Sequence, residues 1–348
     1  MRSMRTHSIL ALLLLTGCPD LPDGMSVDTS SGIAGESDPD VGIPEEVLQD
    51  LPPCPGSVLG AFTEDEVQPP AADSGGWMAP EADTLAAIEA SAEALLNGLS
   101  PIALGQTAVV GYQMCRGTGE EGRMVLWRPA QPGTGRGLFA WRVGEVSALI
   151  IEAPHAWASP ATMEQAVTLF RATQARVLIA SGSHPCSNPD VTGCGADTLC
   201  GGDIAPASNP SQNEDTVFHV AHTMFTDRFP QDWVVSIVPM DDEGVSVSDG
   251  TRGPASLGSA AEEVALALMD ALTDEPVTSC NDFPGAIVQD RACGAESVQA
   301  RQLNGAVDAC SAEDLDSTGR FVQISESPTV QQRGLTVADA IATALSTR

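Results

Sequence analysis

The chain contains no lysine, and all 16 of its basic residues are arginines. The chain also contains 47 acidic residues, so its formal net charge is −31 over 348 residues. An excess of negative charge this large argues against nucleic acid and anionic lipid headgroups as partners, because both are themselves polyanions. The missing lysines are equally typical of a biased genome composition or a saline habitat, so alone they indicate no function.

Motifs of several common enzyme classes are missing as well. No glycine-rich phosphate loop stands between a strand and a helix, and no Gly-x-Ser-x-Gly elbow occurs. The second absence counts against the serine nucleophile of an α/β-hydrolase. The apolar run Ile9–Leu15 is too short to span a membrane.

What the N-terminus does contain is typical of an export signal. Arg2 and Arg5 form a positive region ahead of Ile9–Leu15. Residues 15–18, Leu-Thr-Gly-Cys, resemble the lipobox of bacterial lipoproteins, which implies cleavage before Cys18 and acylation of that cysteine. The resemblance implies a cell-envelope protein held on a lipid bilayer through Cys18. The alternative is an ordinary secretory peptide that contains a cysteine.

The region behind the predicted signal peptide (residues 1–18) has the composition of a linker. It is rich in Pro, Gly, Ser, Asp and Glu, and no basic residue occurs between Arg5 and Arg116. This composition predicts an acidic, disordered tether over residues 19–80. A single folded domain is then predicted over residues 81–348.

Eight cysteines remain when Cys18 is set aside, and an even number in an exported chain predicts up to four disulfides. The sequence leaves their pairing open. A zinc site of Cys186, Cys194 and Cys200 is the alternative, but no Cys-x-x-Cys pair occurs among them, and exported thiols tend to oxidise. Disulfides that staple the loops are therefore the favoured interpretation.

A strand–helix–strand unit organises the predicted fold. Leu149–Ile151 and Val177–Ala180 are short apolar runs typical of buried strands, and Ser159 with Pro160 begins a helix between them. Strands and helices alternate along the chain, which predicts a three-layer α/β domain with a mostly parallel sheet and helices on both faces. Further strands are predicted at 108–114, 124–127, 137–143, 233–238 and 320–324, and further helices at 83–99, 215–229, 259–272 and 337–345.

A histidine follows each strand of this unit: His155 after the first strand and His184 after the second. Sites in parallel sheets form at the carboxyl ends of the strands, so both histidines are expected at one edge. With Glu152 they could hold Zn²⁺ and leave a fourth position for water. The alternative is that Glu152 is a surface residue and the histidines bond to the strand ends.

Two other pairs are further candidates. His219 and His222 lie three residues apart on a predicted helix and therefore share a face. They could be additional metal ligands or a general base, or they could belong to a half-exposed helix surface. Glu326 follows a late strand and could act as a general base. Arg333 comes shortly after it and could bind a substrate carboxylate.

These motifs, over roughly residues 105–335, resemble exported bacterial proteins of the zinc-dependent phosphorylase/hydrolase-like fold. That group includes N-formylglutamate amidohydrolases and is related to zinc carboxypeptidases. The resemblance implies a metal-dependent hydrolase of amide or peptide-like bonds. It implies that Glu152, His155 and His184 bind the metal, while Glu326 serves as base and Arg333 binds the substrate carboxylate.

The sequence departs from that pattern at two places. The third central strand runs out through Pro239-Met240 without a ligand, and Pro185 follows His184 where a polar or basic residue would help to hold a substrate. Two other interpretations therefore stay open: a non-catalytic envelope lipoprotein that uses the same fold to bind a ligand or partner, and a purely structural surface protein.

Overall fold

The computed structural model describes residues 45–63, 69–192, 194, 199–201, 205–254, 257–311 and 316–345. The predicted signal peptide, the predicted lipid attachment at Cys18 and residues 19–44 of the predicted tether lie outside these residues. Within the described ranges, no helix has the length and the apolar character needed to cross a membrane.

Ten strands form one sheet in the order β1-β2-β3-β5-β4-β6-β10-β7-β8-β9. Five of the nine pairings are parallel, including those around β4, so the sheet is mixed. The strands are β1 (Tyr112–Arg116), β2 (Met124–Pro129), β3 (Leu138–Arg142), β4 (Ser147–Ala153), β5 (Ala175–Ala180), β6 (Trp233–Pro239), β7 (Val245–Ser248), β8 (Val277–Ser279), β9 (Ile287–Val288) and β10 (Phe321–Glu326).

Helices cover both faces of the sheet. They are α1 (Val47–Asp50), α2 (Gly60–Thr63), α3 (Ala82–Leu96), α4 (Ser100–Val109), α5 (Pro160–Ala172), α6 (Val217–Arg228), α7 (Ala260–Ala271), α8 (Val298–Leu303), α9 (Pro328–Gln331) and α10 (Gly334–Leu345). One buried cluster joins the sheet to α2, α5, α7 and α10, and a second joins it to α3, α4, α6 and α8. The predicted α/β class with helices on both faces is confirmed.

The residues of β4 show how the two faces are divided. Leu149, Ile151 and Ala153 belong to the cluster with α5, whereas Ile150 belongs to the cluster with α6. This alternation is what a strand buried on both faces requires, because successive side chains point to opposite sides. It also determines which layer each polar side chain of the strands can reach.

Several residues of the region predicted as a tether pack against the domain. Val47 and Leu51 are buried against the α3–α4 layer, and Val58, Leu59 and Phe62 are buried against the α5 layer. The described part of this region has the composition of a linker, so its few well-spaced apolar residues were not recognised as part of the core. These residues help to hold the segment on the domain, because they bury apolar surface there.

All eight cysteines that follow Cys18 are paired, as predicted. The disulfides are Cys54–Cys115, Cys186–Cys200, Cys194–Cys310 and Cys280–Cys293. The alternative zinc site is wrong, because the sulfurs of Cys186, Cys194 and Cys200 are consumed in two of these bonds. The first disulfide fastens the early segment to β1, and two others staple the long loop after β5.

Two of the predicted elements differ in the structure. Most of the run predicted as a strand at 108–114 belongs to the end of α4 and a turn, and β1 begins only at Tyr112. No strand is predicted at residues 245–248, yet these residues form β7. Val245 and Val247 belong to the buried cluster that contains α7, whereas Ser246 and Ser248 are buried on the opposite face of the sheet. This buried strand therefore carries serines on one of its sides.

Candidate functional site

The strand pair that positions the predicted site is present. Strands β4 and β5 are parallel neighbours, with Glu152 opposite Ile179 and Ala153 opposite Ala180. His155 therefore follows β4, and His184 follows β5, at the same edge of the sheet, as expected. What the two rings do there is determined by their hydrogen bonds.

The ring of His155 is bonded to the loop that runs over the edge. Its Nε2 lies 2.9 Å from Oδ1 of Asn209 and 3.2 Å from Oγ of Ser211. Asn209 Oδ1 also accepts from the backbone N–H of Ser211, while Asn209 Nδ2 donates to Gln212 Oε1, which fixes the orientation of the amide. Since Oδ1 only accepts, Nε2 of His155 carries the proton and donates it. In this arrangement that nitrogen neither binds a metal nor accepts the proton of Ser211.

The ring of His184 is bonded to its own turn. Nδ1 accepts a hydrogen bond of 3.1 Å from the backbone N–H of Cys186. The proton of the neutral ring is then on Nε2, so neither nitrogen presents a lone pair to a metal. Partial burial lowers the pKa of His184 and favours this neutral form, although the nearby Asp73 acts in the opposite direction.

The carboxylate of Glu152 does not turn towards these two histidines. The alternation along β4 points it into the α6 layer, where Oε1 lies 2.6 Å from Nδ1 of His222. Both side chains are fully buried, and both Oε2 of Glu152 and Nε2 of His222 lack a hydrogen-bond partner among the described residues. Glu152 therefore orients a histidine of the helix.

The other helical histidine lies beside this pair. The rings of His219 and His222 are stacked with their centroids 6.0 Å apart. Burial, reinforced by His222, lowers the pKa of His219 to about 3. Nε2 of Gln299 lies 3.4 Å from Nδ1 of His219 and donates to the carbonyl of Pro210. The two histidines form a buried polar layer between α6, α8 and the sheet.

Glu326 lies in the opposite layer of the domain. Val322 and Ile324 precede it with the same parity on β10 and belong to the α5 cluster. Its Oε1 accepts a hydrogen bond of 2.6 Å from Nε2 of Gln165 on α5, and the side chain is fully buried. Burial raises the pKa of Glu326 to about 8, against the opposing effect of the bond from Gln165. The sheet therefore separates it from Glu152.

Arg333 is engaged in an ion pair near the end of α7. Its Nη1 lies 2.5 Å from Oδ1 of Asp274, and Nη2 contacts the carbonyl oxygen of Ala271. The hydrogen bond from Arg333 lowers the pKa of Asp274. The guanidinium that was predicted to hold a substrate carboxylate thus already holds a carboxylate of the chain.

The predicted zinc ligands do not converge on one point. Within the described ranges, one group of at least three metal-binding side chains has its ligand atoms within 4.8 Å of one another: Glu214, Asp308 and Cys310. Cys310 is bonded to Cys194, so this group offers only two carboxylates. A metal held by Glu152, His155 and His184 would have to break the hydrogen bonds above, and that site stays a prediction.

A cavity of about 320 Å³ lies beside the same edge of the sheet. Leu138 of β3 and Gly182, which follows β5, contribute to its lining, whereas neither His155 nor His184 does. Its volume falls within the range of roughly 300–1,000 Å³ that is usual for pockets of small ligands. No pattern in the sequence indicates this cavity, because most of its lining comes from residues 129–136, whose prolines and glycines are typical of an ordinary connection.

Several residues that hold this edge together were also not found from the sequence. Asn209 and Ser211, which hold the ring of His155, lie in a loop that pattern analysis describes only as unusually long. Gln165, which binds Glu326, looks like an ordinary polar residue of an amphipathic helix. Their partners are far away in the sequence, so only the fold identifies them.

No protein-family model matches the chain, and no curated protein matches it. Among solved structures it is similar to a bacteriophage poly-gamma-glutamate hydrolase, with 13% identity, a TM-score of 0.33, and coverage of 60% of this chain and 88% of that one. It is also similar to a metallo-carboxypeptidase from Pseudomonas aeruginosa, with 11% identity, a TM-score of 0.33 and coverage of 60% of each chain. These TM-scores are too low for a site or an activity to be carried over from either structure.

Proposed function

We propose that this chain is an exported, lipid-anchored protein of the cell envelope that binds a ligand or partner at the edge of a hydrolase-like sheet without cleaving it. One observation carries the proposal. The two histidines expected to form a metal site already bond to their own chain, His155 to Asn209 and His184 to Cys186. A metal that bound Nε2 of His155 or Nδ1 of His184 would have to displace these hydrogen bonds.

The remaining groups of the expected hydrolytic set support the same proposal. A base must reach the substrate, and an arginine must be available to bind it. Glu326 is buried on the far side of the sheet and bonded to Gln165, while Arg333 is paired with Asp274. Both residues are therefore already engaged by side chains of the chain itself.

The proposed location rests on two features of the chain. Four disulfides are typical of proteins that leave the cytoplasm, since they persist only in oxidising compartments. The lipobox-like residues that end at Cys18 would then anchor the protein by acylation. The acidic residues that follow would hold the domain away from anionic headgroups.

Metal-dependent hydrolysis is the second candidate, and the pair of Glu152 and His222 favours it. A histidine that binds a metal usually donates its other ring N–H to a carboxylate, as Nδ1 of His222 does to Glu152. Zinc would supply a polarised water there. However, His222 is fully buried, and within the described part of the chain it belongs to no group of three metal-binding side chains.

Zinc binding and turnover distinguish the two candidates. The full-length protein and a His155→Ala/His184→Ala double variant would be dialysed against ZnCl₂, and the retained metal measured together with cleavage of N-formyl and N-acetyl amino acids and dipeptides. We expect the two proteins to retain the same small amount of zinc and to cleave none of these substrates. An Asp242→Asn variant, altered in an exposed ion pair, is the control.

Stoichiometric zinc that is lost in the double variant, together with amide cleavage by the parent protein, would overturn the proposal. Zinc retained by both proteins but lost in His222→Ala, again with cleavage, would favour the second candidate instead.

A further inference from the structure

The cavity beside β3 is built around two arginines. Arg128 and Arg136 both line it, and none of the described residues that line it is acidic. In a chain with a net charge of −31, a cavity whose charged lining is cationic throughout its described part differs in sign from the protein as a whole.

The floor of this cavity is the outer part of the sheet. Gln113 of β1 and Arg128 of β2 lie directly opposite each other in the antiparallel register. Arg128 already has a partner in the chain, whereas the amide of Gln113 can donate to a ligand. Leu138 of β3 and Ala61 of α2 add apolar surface on the same side.

Arg136 is held in place but keeps most of its donors. Its Nη1 donates to the carbonyl of Val110, a neutral acceptor. No carboxylate of the described residues forms an ion pair with it. A guanidinium has five N–H donors in a planar fork, so one bond to a carbonyl leaves others that suit an anion.

The loop that carries Arg136 is packed tightly on both sides. A Cβ at Gly182 would lie 1.7 Å from the carbonyl oxygen of Arg136, so the chain after β5 lies directly against the backbone of that residue. On the other side, a Cβ at Gly135 would lie 2.6 Å from Cδ1 of Trp77. A site that is fixed before binding loses less entropy when a ligand enters.

We propose that this cavity binds a small carboxylate that carries a short apolar body. The carboxylate would bind to Arg136, with the amide of Gln113 as a second donor, because planar oxyanions accept two parallel bonds from a guanidinium. The apolar body would contact Leu138, Ala61 and the prolines of the loop. The inference rests on the proposed binding function and gives that function a ligand class.

Calorimetric titration of the full-length protein with hexanoate, hexanamide and inorganic phosphate tests the proposal. We expect hexanoate to bind at one site. Hexanamide, which has the same shape without the charge, should bind at least about tenfold more weakly, which corresponds to about 1.4 kcal/mol. Phosphate should be weaker as well, because it has no apolar body to bury.

Three variants identify the site. Arg136→Gln should weaken the binding of hexanoate by at least about tenfold and leave the binding of hexanamide unchanged. Ala130→Trp should block both molecules by filling the cavity while leaving Arg136 intact, and it replaces the first variant if that one does not fold. Arg291→Gln, on an exposed arginine far from the lining, should change nothing.

Absence of hexanoate binding, equal binding of hexanoate and hexanamide, or unchanged hexanoate binding by folded Arg136→Gln and by Ala130→Trp would each overturn the inference. Phosphate binding as tight as hexanoate binding would also overturn it, since it would mean that charge alone is recognised. None of these outcomes affects the zinc and turnover test, so failure here can be told apart from failure of the proposed function.

Discussion

The carboxylate of Glu152 on β4 lies 2.6 Å from Nδ1 of His222 on α6, and no solvent reaches either side chain. The pair joins the centre of the sheet to the helix layer above it. Each residue also has an atom without a hydrogen-bond partner within the described ranges, Oε2 of Glu152 and Nε2 of His222. Burying polar atoms in this way has a cost in stability, and the cost makes the pair sensitive to substitution.

Glu152→Ala should destabilise the fold strongly. Removing one member of a buried, bonded pair typically costs about 3–5 kcal/mol, because the other is left without its partner. Glu152→Gln keeps an acceptor for His222 and should cost less, and a Glu152→Leu/His222→Leu double variant should cost less than the sum of its single variants. Urea unfolding measures each value. A loss below about 0.5 kcal/mol for Glu152→Ala, as expected for the exposed pair in Asp242→Asn, would contradict a structural role for the contact.

The burial of Glu326 predicts a stability that falls as the pH rises. Its pKa is raised from 4.5 to about 8 in the folded state, so between these values the folded protein holds a proton that the unfolded chain has released. Stability is then lost across this window, at most about 1.4 kcal/mol per pH unit. Glu326→Gln stays neutral, so its unfolding free energy should match that of the parent near pH 4.5 and exceed it near pH 8. If the difference in unfolding free energy between Glu326→Gln and the parent protein does not change with pH, this carboxyl is ionised in the folded protein.

The contrast between Glu152 and Glu326 shows how much the sequence can predict. Both were correctly placed at the ends of buried strands, because short apolar runs and turn residues are local signals. In the structure the two carboxylates lie on opposite faces of the sheet. Which side chain meets each carboxylate depends on how α5 and α6 lie across the sheet. The local pattern of His222 or Gln165 does not contain that information.

The packing of residues 47–62 on the domain was not predicted, for a different physical reason. A composition rich in Pro, Gly and acidic residues predicts disorder on average, yet a short segment folds if a few apolar residues and one covalent bond hold it. Val58, Leu59 and Phe62 supply the first, and the Cys54–Cys115 disulfide supplies the second. Disulfide pairing follows from the fold and could not be predicted from spacing.

The same segment gives a prediction for the disulfide. A Cys54→Ala/Cys115→Ala variant should lose about 2–4 kcal/mol of stability, since the cross-link restricts the unfolded chain over a separation of 61 residues. Limited proteolysis should then cut within residues 45–63, which the parent protein protects. Cys280→Ala/Cys293→Ala, which opens a separation of 13 residues, is the matched control and should leave that segment protected. Equal protection in both variants would mean that apolar contacts alone hold the segment.

The predicted anchor lies outside the described residues and has its own test. Cys18→Ser should release the protein from membranes and abolish incorporation of labelled palmitate, because a lipobox cysteine is the acylation site. Cys54→Ala, which removes a cysteine of the domain, should leave labelling unchanged. Labelling that persists in Cys18→Ser would exclude acylation at this cysteine.

The protonation of His155 and His184 tests the account most directly. Long-range ¹H–¹⁵N NMR of the histidine rings, recorded with and without Zn²⁺, shows which ring nitrogen carries the proton. We expect Nε2 to carry a proton in both residues, and both spectra to stay the same when zinc is added. A change of both rings together upon addition of stoichiometric zinc would show that their bonds to Asn209 and Cys186 give way to a metal, and it would contradict the proposed non-hydrolytic function.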